Sequence, residues 1–111
     1  MASRTARGYQ PGMGNSTQQE APSSGQTVNV IQTNSGNIYV LIQPPALLAA
    51  LSLQLPTQGA FDGQSITFAF TQPITLLNLL GPVIGAITGV LAGGFSKYVW
   101  STTNMSWNRC G

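Results

Sequence analysis

Glu20 and Asp62 are the only carboxylates among the 111 residues, Cys110 is the only thiol, and there is no histidine. General acid–base catalysis needs positioned titratable groups tuned to the working pH, and imidazole is the usual choice. Two carboxylates far apart in sequence do not supply such a pair. A cysteine nucleophile needs a neighbouring base or cation to hold its thiolate, and Cys110 has no imidazole to turn to. Zinc and calcium sites take three or more N, S or O side-chain ligands, more than this set offers. The expectation is therefore a protein that is not an enzyme, with no catalytic residue, no metal site and no cofactor.

The cations are equally sparse. Arg4, Arg7, Lys97 and Arg109 give a formal net charge of +2, and charged residues make up 5% of the chain where about 25% is usual. Four scattered cations do not form a nucleic-acid footprint, so no nucleic-acid partner is expected. Between residues 21 and 96 the sole charge is Asp62. A surface of uncharged polar side chains with a net charge near zero favours association, and charge is depleted where subunits meet. The chain reads as one that works assembled. One cysteine makes no intrachain disulfide, and the polar run after Arg4 and Arg7 lacks the apolar stretch of a signal peptide, so synthesis in a reducing cytoplasm is expected.

Positioning elements divide the chain in two. Residues 1–26 contain Gly, Pro, Ser, Thr and Gln with hardly an apolar side chain, a composition that does not fold alone. They read as an extended N-terminal arm that orders on a partner, with Arg4, Arg7 and Tyr9 as its anchors, since Arg and Tyr carry interface energy. Residues 27–111 read as an all-β domain of six to eight short strands, a small antiparallel β-sandwich or barrel-like body. Thr27–Ile31 and Ile38–Gln43 flank the turn cluster Asn34-Ser35-Gly36-Asn37 as a hairpin, and Pro44-Pro45 ends its second strand. Leu51, Leu53 and Leu55 alternate with polar residues. Ile66, Phe68 and Phe70 put three large side chains on one face, with Ile74–Leu80 following as a strand. Phe95–Ser101 and Met105–Cys110 flank Thr102-Thr103-Asn104 as a closing hairpin, with Tyr98 and Trp100 on one face and Met105, Trp107 and Arg109 on another. Ala46–Leu51 holds good helix formers and reads as a turn of helix.

Residues 74–95 carry no charge, and Gly81, Gly85, Gly89 and Gly93 recur every fourth position. This is the pattern of a transmembrane helix with a small-residue packing face. Against it stand Pro82, Asn78, Thr75 and Thr88 and the lack of a basic flank. The other reading makes the glycines turns that bracket very short strands at Val83-Ile84 and Ile87.

From Leu53 to Cys110 a set of phrases occurs in order: Leu53-Gln54-Leu55-Pro56, Asp62-Gly63-Gln64-Ser65-Ile66-Thr67-Phe68, Ile74-Thr75-Leu76, Ala92-Gly93-Gly94-Phe95-Ser96-Lys97-Tyr98-Val99-Trp100, and Asn104-Met105-Ser106-Trp107-Asn108-Arg109. Together they resemble a small β-domain of tailed-bacteriophage virion proteins, found in capsid decoration (cement) or head-fibre proteins and in tail fibres. Leu79–Ile84 departs from that pattern in being more apolar. The resemblance implies a trimeric virion protein on the capsid surface, made in the host cytoplasm, whose partners are its own copies and the major capsid protein. Ile66, Phe68, Phe70, Tyr98, Trp100 and Trp107 would then serve as core or as subunit interface. A short arm with one small domain suits a decoration protein that stabilises the shell. A tail-fibre or adaptor tip that binds a receptor is the alternative, and a small membrane protein built on 74–95 is a second.

Overall fold

The computed structural model describes residues 14–111, and within them the chain is all-β, nine strands with no helix. Odd-numbered and even-numbered strands go to different sheets over the first two-thirds of the chain. β1 (Asn15–Glu20), β3 (Asn37–Ile42) and β5 (Ser65–Phe70) lie side by side in parallel. β2 (Thr27–Asn29), β4 (Leu48–Gln54) and β6 (Ile74–Leu80) form a second parallel sheet. The chain thus winds from one sheet to the other and back, returning to the same lateral position after about 22 to 28 residues. This is a solenoid-like arrangement of three coils.

After β6 the winding stops. β7 (Val83–Ile84), β8 (Phe95–Ser101) and β9 (Ser106–Arg109) extend the first sheet to the order β1-β3-β5-β8-β9-β7. β8 runs antiparallel to both β5 and β9, so the expected C-terminal hairpin forms. Its turn carries Met105 at φ 53°, which aims this side chain into solvent instead of onto the Trp107 face. The hairpin expected across Asn34–Asn37 does not form. β2 and β3 belong to different sheets, and each pairs with strands one coil away. The expected antiparallel sandwich or barrel is corrected accordingly.

Inward positions stack from coil to coil. Ile38 lies beside Ile66 and then Tyr98, Val40 beside Phe68, and Ile42 beside Phe70. Leu51 and Leu53 of β4, with Leu77 of β6 and Val28 of β2, supply the other wall of the same buried cluster. Alternation slips at one place in the second sheet, where Leu48 and Leu51 are buried three residues apart, as are Ile74 and Leu77 beside them. Ala46–Leu51, expected as a turn of helix from its residue types, is loop and strand, because β2 and β6 on either side give Leu48–Gln54 a ladder to join.

The segment expected as an arm contributes a strand: Asn15–Glu20 is β1, at the edge of the six-stranded sheet. Its inward side chains are Ser16, Gln18 and Glu20, so the apolar stack ends in a polar layer. Such a layer is what a terminal coil needs, because no further coil covers it. Residues 1–13, with Arg4, Arg7 and Tyr9, lie outside the described residues. Residues 74–95 are strand and turn, and no helix among the described residues is long and apolar enough to cross a membrane. Gly81, Gly85 and Gly93 all sit at positive φ, the mark of turn positions and not of a helix face.

Candidate assembly surface

The aromatic residues singled out from the sequence are core. Ile66, Phe68, Tyr98 and Trp107 are fully buried, and Phe70 and Trp100 are nearly so. Phe68 meets Tyr98 edge-on with ring centroids 6.1 Å apart, and Trp100 meets Trp107 at 5.3 Å. The Trp107 indole N–H donates to the Pro56 carbonyl at 2.9 Å, which satisfies its one polar atom. Of the residues named as core or interface, the structure makes all six core.

The Asp62 carboxylate has a local structural task. Gly63 adopts φ 87°, and Asp62 Oδ1 accepts from the Thr102 N–H at 2.9 Å, which ties the Asp-Gly turn to the β8–β9 hairpin. Glu20 accepts from Gln18 Nε2 at 3.0 Å in the polar layer. Cys110 is exposed near the chain end. The two carboxylates and the thiol are thus spread over separate parts of the molecule, and no group of three metal-ligating side chains occurs among the described residues.

Sequence reasoning missed the role of Gln64. Its side chain is fully buried, donating from Nε2 to the Thr33 and Ser35 carbonyls at 3.0 and 2.9 Å. Its Oε1 accepts from Gln32 at 2.8 Å, and the same Gln32 amide reaches the Gly59 carbonyl at 3.0 Å. This amide pair stacks the β2–β3 corner on the β4–β5 corner. Polarity hid it in the sequence, where glutamine ordinarily signals exposure.

Three of the large apolar side chains left in solvent, Leu47, Leu91 and Phe95, line one groove, while Ile31, Tyr39, Leu76, Ile84 and Met105 are exposed elsewhere. An open groove of about 800 Å³ runs between the start of β6, the loop before β8 and the end of β9, lined by Leu47, Ile74, Ile87, Leu91 and Phe95 with Arg109 at its side. Leu47 is 56% exposed, Phe95 65% and Leu91 79%. The groove wall is fixed by backbone bonds. Ile74 and Val90 exchange N–H···O bonds of 2.9 and 3.0 Å, and Gly94 and Phe70 are tied by another of 3.0 Å. At Gly94 a β-carbon would collide with Val90 Cγ2 and stand 2.9 Å from the Leu91 carbonyl oxygen, so only glycine permits this turn. The loop that looked like half of a membrane span therefore holds Leu91 and Phe95 outward on a rigid frame.

Its one charged lining residue, Arg109, donates from Nε to the Gly111 carbonyl at 3.2 Å. Lys97 is exposed on the neighbouring strand, as expected of a solvated face. A concave apolar surface with a single charge at its side is chemistry for binding another apolar surface. It offers no acid, base or nucleophile to a substrate. No protein-family model matches the chain, and no curated protein matches it in sequence.

Proposed function

We propose that this chain is a structural assembly protein that associates with its own copies through the groove around Leu91 and Phe95. In its fullest form the proposal is a trimeric decoration protein of a phage capsid, bound to the major capsid protein on the outer shell. The observation that carries it is the backbone-pinned apolar groove on a chain with six charged residues in all. Large apolar surface in water is costly unless a partner covers it, and charge depletion suits a repeated subunit contact. The resemblance of Leu53–Cys110 to phage virion domains supports the virion role, and its phrases fall on the second and third coils and the closing hairpin.

In this reading residues 1–13 hold the shell through Arg4, Arg7 and Tyr9, while the coils form the body. Three arms on one trimer act on the same lattice, so each raises the effective concentration of the others. The test is co-sedimentation with purified capsids. The full chain is expected to bind at a copy number matching the capsid lattice, and deletion of residues 1–13 is expected to leave a folded trimer that stays in the supernatant. The cut must fall before Gly14, because removing all of 1–26 would delete β1 and strip the polar layer from the core. Normal binding by the shortened chain would refute the anchoring role.

A second reading is favoured by the stacking of coils, which is the geometry of a shaft. It makes the chain a tail-fibre or adaptor component, and a copy number matching a tail's few subunits would select it.

A further inference from the structure

The two sheets end differently at the first coil. β2 is the outer strand of its sheet, and the end of its free edge is covered from within the chain: the Gln18 side-chain amide donates to the Asn29 carbonyl at 2.8 Å, and its oxygen accepts from the Ile31 N–H at 2.9 Å. The Gln18 amide thereby takes the place of a backbone neighbour. β1, the outer strand of the other sheet, has no such cover among the described residues. The Gly14 and Glu20 carbonyls both bond to the β3 side, accepting from Asn37 and Gln43. In a parallel ladder alternate residues turn both backbone groups to the same side. Even-numbered residues therefore face β3, and Asn15, Thr17 and Gln19 turn their N–H and C=O groups outward. No proline, lysine or bulge in Asn-Ser-Thr-Gln-Gln-Glu protects this edge, although such devices are the usual means of keeping edges apart.

We propose that β1 pairs antiparallel with β1 of a second copy across a two-fold axis through Thr17, joining the two six-stranded sheets edge to edge. With Thr17 opposite Thr17, Asn15 faces Gln19 of the mate and Ser16 faces Gln18. All three outward residues then sit in pairs that exchange two N–H···O bonds each. The single charge on the strand decides between registers. In this one Glu20 faces Gly14 of the mate, so no like charges meet, and the exposed face pairs Thr with Thr and Asn with Gln, both favourable cross-strand combinations. A two-fold contact uses the same edge on both copies, so it closes on itself without running on into a fibre. It is independent of the groove, which lies at the other end of the sheet beside β9, and it would link neighbouring trimers on a shell if the groove makes trimers.

The experiment is light-scattering mass measurement on the full chain and on Thr17→Pro. Proline is tolerated here because the Thr17 N–H points away from β3 and is not used within the sheet. The mass is expected to fall, from linked trimers to a single trimer if the groove assembles the chain, or from dimer to monomer if it does not, so a failure of the groove reading is told apart from a failure of this one. An unchanged mass overturns the proposal. Should Thr17→Pro fail to fold, Thr17→Lys puts two ammonium groups at the axis and is expected to give the same fall in mass. Register is tested by oxidation of T17C/C110S. Hydrogen-bonded antiparallel partners have α-carbons about 5.5 Å apart, within disulfide range. That variant is expected to crosslink to a dimer, and N15C/C110S, whose cysteines lie four pair positions apart, is expected not to. Equal crosslinking of the two, or none in the first, refutes the register.

Discussion

Phe95→Ser tests the groove as the contact between copies. The ring is 65% exposed in the single chain, and burying a whole phenylalanine side chain is worth up to about 3 kcal/mol. Covering what remains exposed would contribute about 2 kcal/mol per subunit contact, and the serine forfeits it. A closed trimer has three equivalent contacts, so its formation would weaken by about 6 kcal/mol, near four powers of ten in the monomer–trimer constant. Because that constant scales with the square of concentration, the midpoint of assembly is expected to rise about a hundredfold. The folded chain itself should be affected little, within about 0.5 kcal/mol, since most of the ring already lies outside the core. Sedimentation over a concentration series measures the first effect and urea unfolding of the monomer the second. An unshifted midpoint refutes the groove as the interface. A large loss of monomer stability would show instead that Phe95 belongs to the core.

Gln64→Leu keeps the volume but removes three buried hydrogen bonds, to the Thr33 and Ser35 carbonyls and from the Gln32 amide, while Gln32 still donates to the Thr33 and Gly59 carbonyls. At about 0.5–1.5 kcal/mol for each lost bond, the unfolding free energy from urea titration is expected to fall by about 2–4 kcal/mol, and a neutral result would deny the corner its role. Tyr98→Phe goes the other way: the Tyr98 hydroxyl is buried with no hydrogen-bond partner among the described residues, so removing it is expected to leave stability unchanged or raise it by about 1 kcal/mol in the same measurement. A clear loss would show that the hydroxyl has a partner, such as a buried water.

Most of the apolar strands, with their division into inward and outward residues, were legible in the sequence. Ile66, Phe68 and Phe70, then Leu51, Leu53 and Leu55, and the Tyr98–Trp100 face all declare themselves by period two, which is a local property of the backbone. β6 matches the expected Ile74–Leu80, and Val83-Ile84 matches the short strand read between the glycines. The sequence also announced the lack of charge.

Pairing was not legible, because alternation has the same appearance whether a strand meets its partner through a hairpin or one coil later. Asn34–Asn37 would serve a hairpin turn or a corner equally well. What decides for the corner is non-local: a neighbouring coil offers matching inward rows, Ile38 beside Ile66 and Val40 beside Phe68, and Gln64 fastens the corners together. For the same reason β1 was invisible, since its polar alternation earns no hydrophobic signal and only β3 gives it a ladder to join. The groove belongs to this class too. Leu91 and Phe95 are apolar in any sequence reading, but only the pinning of their loop to Ile74 and Phe70 decides that they face water. Composition and period are set along the chain, whereas register and exposure depend on residues brought together from different coils.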